Sequence, residues 1–265
     1  MPSQSINYLE HLRGESERFA AALAAADPQA PVPSCPDWTA ADLLWHLTEV
    51  QWFWGTVAAE RLQDPSSAEA TKPARPDTYA GLATLFGTAT SRLSAALAEG
   101  ADGTPVWTWA ADRSLGFIRR RQAHEALIHR LDAELVGGRP GTMDPALSAD
   151  GVDELLRVMW AELPGWAAFR PTGGEVLVET TDTGDAWLAV LGRFTGTSPN
   201  TGKSYDEPTI MVAEPAMAAA PAARVRGTAA ALDRWLWNRG DTGVERTGDP
   251  AALAHVDDLV AAGVQ

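Results

Sequence analysis

The chain has 265 residues and a formal net charge of −14 at neutral pH. This acidic balance argues against nucleic-acid binding, which needs basic patches for phosphate, and against attachment to anionic lipid. The single cysteine, Cys35, excludes an intramolecular disulfide. A chain of this length is expected to form one large or two ordinary domains with a sizeable core.

No part of the sequence predicts export or membrane insertion. The first residues lack the basic and apolar regions of a signal peptide, and no run of about 18 apolar residues suggests a membrane span. We therefore expect a cytoplasmic protein without a membrane partner.

Two helices are predicted in the first 62 residues. Apolar residues at helical spacing indicate a helix over residues 6–26, which ends at Asp27 and Pro28. Thr39 followed by Asp42 is close to a capping box, so a second helix is expected from Ala40 to about residue 62. Apolar residues cover more than one side of this helix, which predicts that it is largely buried.

Two more helices follow in the first half. The polar, proline-bearing segment 64–76 is predicted as a connection, and residues 78–99 as the third helix. Residues 117–136 contain neither proline nor glycine and are predicted as the fourth helix. Four helices of about 20 residues with moderate connections predict a four-helix bundle.

The glycine- and proline-rich segment 137–141 is the predicted boundary between two domains, residues 1–141 and 142–265. The second domain mixes helices with short strands, so the fold class is predicted to be α+β. Its expected helices are 148–162, 228–238 and 250–262, and its expected strands are 175–179, 186–190 and 222–227. Residues 196–208 are predicted as a loop and the alanine-rich 217–223 as a linker.

A metal site is predicted from three residues on two helices. Glu125 and His129 are four residues apart, so their side chains project from one face of the fourth helix. His46, on the second helix, adds another donor, and metal sites in bundles are assembled from facing helices. Zinc accepts both carboxylate and imidazole ligands, and three protein ligands with an open position are typical of catalytic zinc. We therefore predict a divalent-metal site at His46, Glu125 and His129, with zinc as the expected metal.

Each of these residues also has an ordinary structural interpretation. By itself, His46 could be a core histidine that is hydrogen-bonded to a neighbour. A Glu-x-x-x-His pair could be an exposed charge pair or a polar lining inside the bundle. Asp132 shares the face of Glu125, where it is either an acceptor for a metal-bound imidazole or a surface acid. His124 points away from that face and is predicted not to bind metal, whereas Glu49 is a reserve ligand.

Three further residues have expected roles near this site. Cys35 is predicted to pack beneath the start of the second helix, with nucleophile and ligand as the alternatives. Arg121 precedes Glu125 by four residues and is expected to pair with its carboxylate. Trp38 is among the tryptophans expected to line a pocket.

Two long motifs carry a resemblance to a known family. The first is Val-Pro-Ser-Cys-Pro-Asp-Trp-Thr at 32–39, which leads into Asp-Leu-Leu-Trp-His-Leu at 42–47. The second extends from Arg121 to Glu134. With these motifs the chain resembles the mycothiol-dependent maleylpyruvate isomerase family, whose N-terminal domain is a DinB-like four-helix bundle. Segments 150–156, 225–228, 236–239 and 248–250 are similar to the smaller C-terminal domain of that family.

The resemblance implies specific site residues. The family's zinc ligands, a histidine on the second helix and a Glu-x-x-x-His pair on the fourth, fall on His46, Glu125 and His129. The family also uses an arginine of the C-terminal domain, for which Arg239 is the nearest match and Arg234 the next. Asp37 departs from the family pattern, in which glycine usually precedes the tryptophan.

The resemblance also implies a chemistry. Zinc would hold mycothiol, the thiol cosubstrate, as its nucleophilic thiolate. Addition of the thiolate to a cis double bond conjugated to a carbonyl, rotation about the resulting single bond and loss of the thiol would give the trans isomer. The expected partner is a small electrophile, a carboxylate such as a maleylpyruvate-like acid, and S-transfer would suit the same site. A hydrolase using zinc-activated water and a non-catalytic metal-binding protein stay open as alternatives, and a monomer or homodimer is expected.

Overall fold

The computed structural model describes residues 6–215 and 220–263. The chain divides into two compact units, Met1–Thr142 and Met143–Gln265, and the boundary predicted from the sequence lies one residue earlier, after Gly141. Residues 1–5, where no signal-peptide pattern is found, lie outside the described part of the chain. Among the described helices, none is both long and apolar enough to cross a membrane.

Four long helices and a small β-hairpin make up the first unit. The elements are α1 (Tyr8–Leu23), β1 (Pro31–Val32), β2 (Cys35–Thr39), α2 (Ala40–Glu60), α3 (Ser66–Ala70), α4 (Tyr79–Ala98) and α5 (Leu115–Val136). Helix α1 packs mainly on α5, α2 mainly on α4, and α2 also contacts α5. The long helices lie within a few residues of the predicted bounds. The connection predicted over 64–76 is wrong in one respect, because it contains the short helix α3.

Side-chain caps fix where the two longest helices begin. The Thr39 hydroxyl accepts a hydrogen bond from the Asp42 backbone N–H, and the Asp42 carboxylate accepts one from the Thr39 N–H, which completes the capping box. Ser114 caps α5 through its side chain. Because α5 then continues to Val136 without proline, Glu125 and His129 keep the regular spacing that places them on one face.

An apolar core holds α2 in place on either side of His46. Leu43 and Leu47 flank this histidine in sequence and are both fully buried. They pack in a cluster with residues of α1, α4 and the hairpin, namely Phe19, Leu23, Val32, Leu82 and Phe86. Burial of each such side chain stabilises the fold by about 1.5–3 kcal/mol. The packing therefore fixes the rotation of α2 and leaves His46 half-buried on another side.

The second unit is a five-stranded sheet with helices. Its elements are α6 (Pro145–Glu154), a π-helical turn (Leu155–Trp160), β3 (Ala167–Thr180), β4 (Ala186–Thr197), β5 (Ser204–Ala213), β6 (Ala223–Gly227), α7 (Ala229–Leu236), β7 (Glu245–Gly248) and α8 (Pro250–Ala262). The strand order is β5-β4-β3-β6-β7, with β3 and β6 parallel and the other neighbours antiparallel. The α+β class predicted from the sequence is confirmed. Strands β5 and β7 were not predicted.

The loop predicted over residues 196–208 is correct only for its central part, residues 198–203, and is wrong at both ends. Strand β4 extends to Thr197 and β5 begins at Ser204, and the pairs continue to the end of the hairpin. The ends of these strands are exposed, so they are rich in polar residues and glycine. A prediction from composition takes such a segment for a loop. Pro208 is tolerated because β5 is an edge strand. Backbone groups on the outer side of an edge strand have no neighbouring strand to pair with, so a residue without an N–H can be accommodated there.

The structure differs from the sequence prediction at two other places in the second half. The helix predicted over 148–162 begins earlier, at Pro145, and its final part is π-helical rather than α-helical. Of the predicted linker, residues 217–219 lie outside the described part of the chain, and Ala223 belongs to β6.

Candidate metal centre

Three side chains from two helices converge in the first unit. One donor atom each of His46, Glu125 and His129 lies within 4.8 Å of the others. The Glu125 Oε1 atom is 3.4 Å from His46 Nε2 and 3.2 Å from His129 Nε2. In the described part of the chain, no other group of His, Cys, Asp and Glu side chains converges in this way. Two imidazole nitrogens and one carboxylate oxygen are donors that fit zinc, so these residues could hold a divalent cation.

Arg121 holds the second oxygen of Glu125. Its Nη2 atom is 2.6 Å from Glu125 Oε2, and the arginine side chain is almost completely buried. Burial opposes ionisation of the carboxyl, but Arg121, followed by His129 and His46, outweighs it and holds the pKa of Glu125 well below its usual range. The pairing expected from the spacing thus leaves Oε1 as the oxygen that faces both imidazoles.

A buried acid contacts the other ring nitrogen of His129. Asp132 is fully buried, and its Oδ2 atom is 2.9 Å from His129 Nδ1. Burial opposes the charged imidazole, but the hydrogen bonds to Asp132 and Glu125 outweigh it and raise the pKa of His129 to about 9. With Nδ1 occupied by Asp132, the Nε2 atom is the one available as a ligand. Of the two interpretations of Asp132, the surface acid is wrong.

The β1–β2 hairpin brings three more side chains to this place. The Ser34 hydroxyl donates to Asp132 Oδ1 at 2.5 Å, and Cys35 Sγ lies 4.0 Å from Asp132 Oδ2. The Trp38 ring centre is 4.7 Å from that of His46 and 6.2 Å from that of His129. Cys35 therefore faces a carboxylate. Catalytic cysteines are activated by cationic neighbours, so this contact does not favour the alternative in which Cys35 is a nucleophile.

Two other residues on the helices that carry the site, His124 on α5 and Glu49 on α2, lie outside the convergent group. His124 is buried, and its ring makes an edge-type contact with Tyr8 at a centroid distance of 6.2 Å. Glu49, the reserve ligand, is not among the converging donors. Arg239 belongs to the second unit, where it follows α7 and its Nη1 atom donates to the Trp237 carbonyl at 2.5 Å.

Two residues near the centre were not identified from the sequence. The Ser34–Asp132 contact joins segments far apart in the chain, and no local pattern signals it. Gln122, one turn before Glu125 on α5, is 1% exposed, and neither its Oε1 nor its Nε2 atom has a hydrogen-bond partner in the described structure. Its position on the face of Glu125 and His129 was the available signal.

Two models of known protein families match the chain and together cover most of it. Residues 9–134 match the family model described as the mycothiol maleylpyruvate isomerase N-terminal domain, and residues 146–255 match the MDMPI C-terminal domain. No curated protein matches the chain.

Two solved structures share the fold. A crystal structure of the mycothiol-dependent maleylpyruvate isomerase is similar with a TM-score of 0.53 and 14% identity, over 91% of this chain and 92% of that chain. A histidine-to-alanine mutant of that isomerase matches with the same TM-score and coverage at 15% identity. The two matched family domains, in this order and over most of the sequence, establish that the chain belongs to the mycothiol-dependent maleylpyruvate isomerase family.

Proposed function

We propose that the chain is a zinc-dependent, mycothiol-using enzyme that acts on a small electrophile. The reaction is cis–trans isomerisation of a maleylpyruvate-like acid or transfer of the thiol to another electrophile. The observation that carries the proposal is the convergence of His46, Glu125 and His129 within 4.8 Å, in a chain of this family. A structural zinc usually has four protein ligands, so a three-ligand set favours a catalytic role.

The protein's own groups would offer three ligand atoms to such a site. His46 and His129 would each offer Nε2, and Glu125 would offer Oε1 while Arg121 keeps Oε2 occupied. A bound zinc ion would supply the positive charge that keeps a thiol in its nucleophilic thiolate form at neutral pH.

Trp38 contributes an aromatic wall beside the two imidazoles. Its ring packs at 4.7 Å from the ring of His46, so it restricts the rotation of that side chain. A wall of this kind also keeps water from one side of the site, which strengthens electrostatic interactions there. We infer that the electrophile's conjugated carbon atoms bind along this surface.

The proposed partner for the substrate carboxylate is Arg239. The protein carries a net charge of −14, so an anionic substrate gains nothing from long-range attraction and must meet a local cation. Arginine suits this task because its planar fork donates two hydrogen bonds to a carboxylate. The residue is assigned through the family resemblance.

Turnover measured with each component left out in turn tests the proposal. Zinc-loaded protein should isomerise maleylpyruvate only when mycothiol is present. Chelation should abolish the activity, and added zinc should restore it. Hydrolytic turnover in thiol-free buffer would favour zinc-activated water instead. Zinc binding without thiol-dependent turnover of any electrophile tested would favour a non-catalytic metal-binding protein.

A further inference from the structure

We propose that Ser34 is a positioning residue of the metal centre, acting on His129 through Asp132; this inference rests on the proposed function. Ser34 Oγ donates to Asp132 Oδ1 at 2.5 Å, and Asp132 Oδ2 is 2.9 Å from His129 Nδ1. The two carboxylate oxygens thus serve two different partners. A hydroxyl on the hairpin and an imidazole on α5 are connected through one carboxylate.

The burial of Asp132 makes the serine hydroxyl important. A fully buried carboxylate needs hydrogen bonds to replace its hydration, and bonds to charged acceptors are the strong ones. Cys35 Sγ, at 4.0 Å from Oδ2, is a weaker donor and lies on the oxygen that faces His129. Without Ser34, Oδ1 loses this hydrogen bond, and the orientation of the carboxylate loses one of its supports. The direction of the His129 ring, which Asp132 contacts through Oδ2, is then less firmly held.

The hairpin is suited to this task because its backbone is fixed at both ends. Val32, next to the turn, is fully buried in the core, and it pairs with Cys35 across the hairpin. The Ala40 N–H donates to the Ala30 carbonyl at 2.8 Å, which ties the start of α2 to the start of the hairpin. Ser34 therefore occupies a defined position, as a group that orients another side chain must.

A purely structural role for Ser34 is the competing explanation. In that case the hydrogen bond to Asp132 only fastens the hairpin to α5, and its loss lowers stability without changing the metal centre. Metal affinity and the absorption spectrum of bound cobalt separate the two roles, because both report on ligand orientation. Loss of partners that orient metal ligands typically weakens metal affinity by about 10- to 100-fold.

The experiment uses the full chain, freed of metal and titrated with Zn²⁺ against a chromophoric chelator and with Co²⁺ for its spectrum. For Ser34→Ala we expect the Zn²⁺ Kd to rise about 10-fold or more and the Co²⁺ bands to change. Ser34→Thr keeps the hydroxyl and should restore both. Ser94→Ala is the control, because Ser94 on α4 is buried and its Oγ atom has no partner in the described structure, whereas Ser34 is partly buried and donates to Asp132. It should leave both readouts unchanged.

The possible results are distinct. A Ser34→Ala protein with wild-type Zn²⁺ affinity and Co²⁺ spectrum overturns the positioning role, whatever its melting temperature. If that variant does not fold, Ser34→Val takes its place, because valine has the shape of the threonine variant without its hydroxyl, and wild-type metal binding there overturns the role equally. Failure of the wild-type protein to bind either metal would instead refute the proposed metal centre itself, and the inference with it.

Discussion

Arg130 Nε lies 2.6 Å from Glu15 Oε2 and joins α5 to α1. The arginine is fully buried, and its other nitrogens contact Glu134 Oε2 at 2.7 Å and the Thr142 carbonyl at 3.2 Å. The Glu134 carboxylate also accepts from the Gly141 N–H at 2.6 Å. One buried cation thus connects two helices with the segment that ends the first unit.

Replacement of Arg130 by methionine should strongly destabilise the protein. The change leaves Glu15 and Glu134 without their buried cation, and breaking a buried pair in this way costs about 3–5 kcal/mol. Urea denaturation measures the free energy of unfolding. The control is Arg18→Met, because Arg18 contacts the same two acids at 3.3 and 3.2 Å but its side chain is 41% exposed; its loss should cost about 0–1 kcal/mol. Similar values for both variants would refute the assigned importance of Arg130.

The capping box of α2 should make stability depend on pH in the acid range. Hydrogen bonds from the side chain and backbone of Thr39, and then Arg75, lower the pKa of Asp42 from 3.8 to about 2. Because the folded-state pKa is the lower one, ionised Asp42 stabilises the fold above about pH 4, and this contribution is lost as the pH falls toward 2. The side chain is partly exposed, so the contribution is modest.

Asp42→Asn should therefore lower the free energy of unfolding at pH 7 by about 1 kcal/mol, and its difference from wild type should shrink as the pH falls to 2. Thermal or urea denaturation at several pH values provides the measurement. Asp37→Asn, at an exposed position in the neighbouring strand β2, should stay close to wild type throughout. A difference for Asp42→Asn that does not change with pH would contradict this explanation.

The buried amide of Gln122 should lower the free energy of unfolding of the protein. Its buried amide has no hydrogen-bond partner in the described structure, so Gln122→Met, of similar shape, should raise the free energy of unfolding by about 1 kcal/mol or more. Gln51→Met should have the opposite effect, because the Gln51 amide is also buried but contacts Ser16 Oγ at 2.9 Å and Thr90 Oγ1 at 2.5 Å. Destabilisation by Gln122→Met would instead indicate a buried water bound to the amide.

Arg239→Lys tests the proposed substrate contact. Lysine keeps the charge but loses the planar fork, so kcat/KM should fall by an amount equivalent to roughly 2 kcal/mol. A role limited to the end of α7, where Arg239 donates to the Trp237 carbonyl, predicts near-normal kinetics. The control Arg226→Lys changes an exposed arginine of β6 and should leave kinetics unchanged. Wild-type kcat/KM in Arg239→Lys would remove the residue from the proposed site.

Local sequence rules explain which parts of the fold were predictable. The start of α2 follows from Thr39 and Asp42, because a capping box acts over three residues. Glu125 and His129 share a face because the helix repeat fixes residues four apart. These features depend on one helix at a time, and so the sequence alone suffices for them.

Features that depend on tertiary packing were missed for the same physical reason. The hydrogen bond from Ser34 to Asp132 exists only because the hairpin packs on α5, which no local pattern encodes. The exposed end of β5 lacks the alternation of a half-buried strand, so the pattern predicts residues 204–208 as part of the preceding loop. The π-helical turn at Leu155–Trp160 likewise continues a helical sequence pattern without a distinct signal.

Metal content of purified variants is the most direct test of the proposed centre. After equilibration with zinc and removal of the excess, we expect about one equivalent per chain in the wild type, as for a single three-ligand site. His129→Ala should lose nearly all of it while its circular dichroism stays helical. His124→Gln is the matched control on the same helix, because His124 lies toward Tyr8 rather than in the convergent group, and it should retain the metal. Stoichiometric zinc in a variant with His46, Glu125 and His129 all replaced by alanine would contradict the assignment.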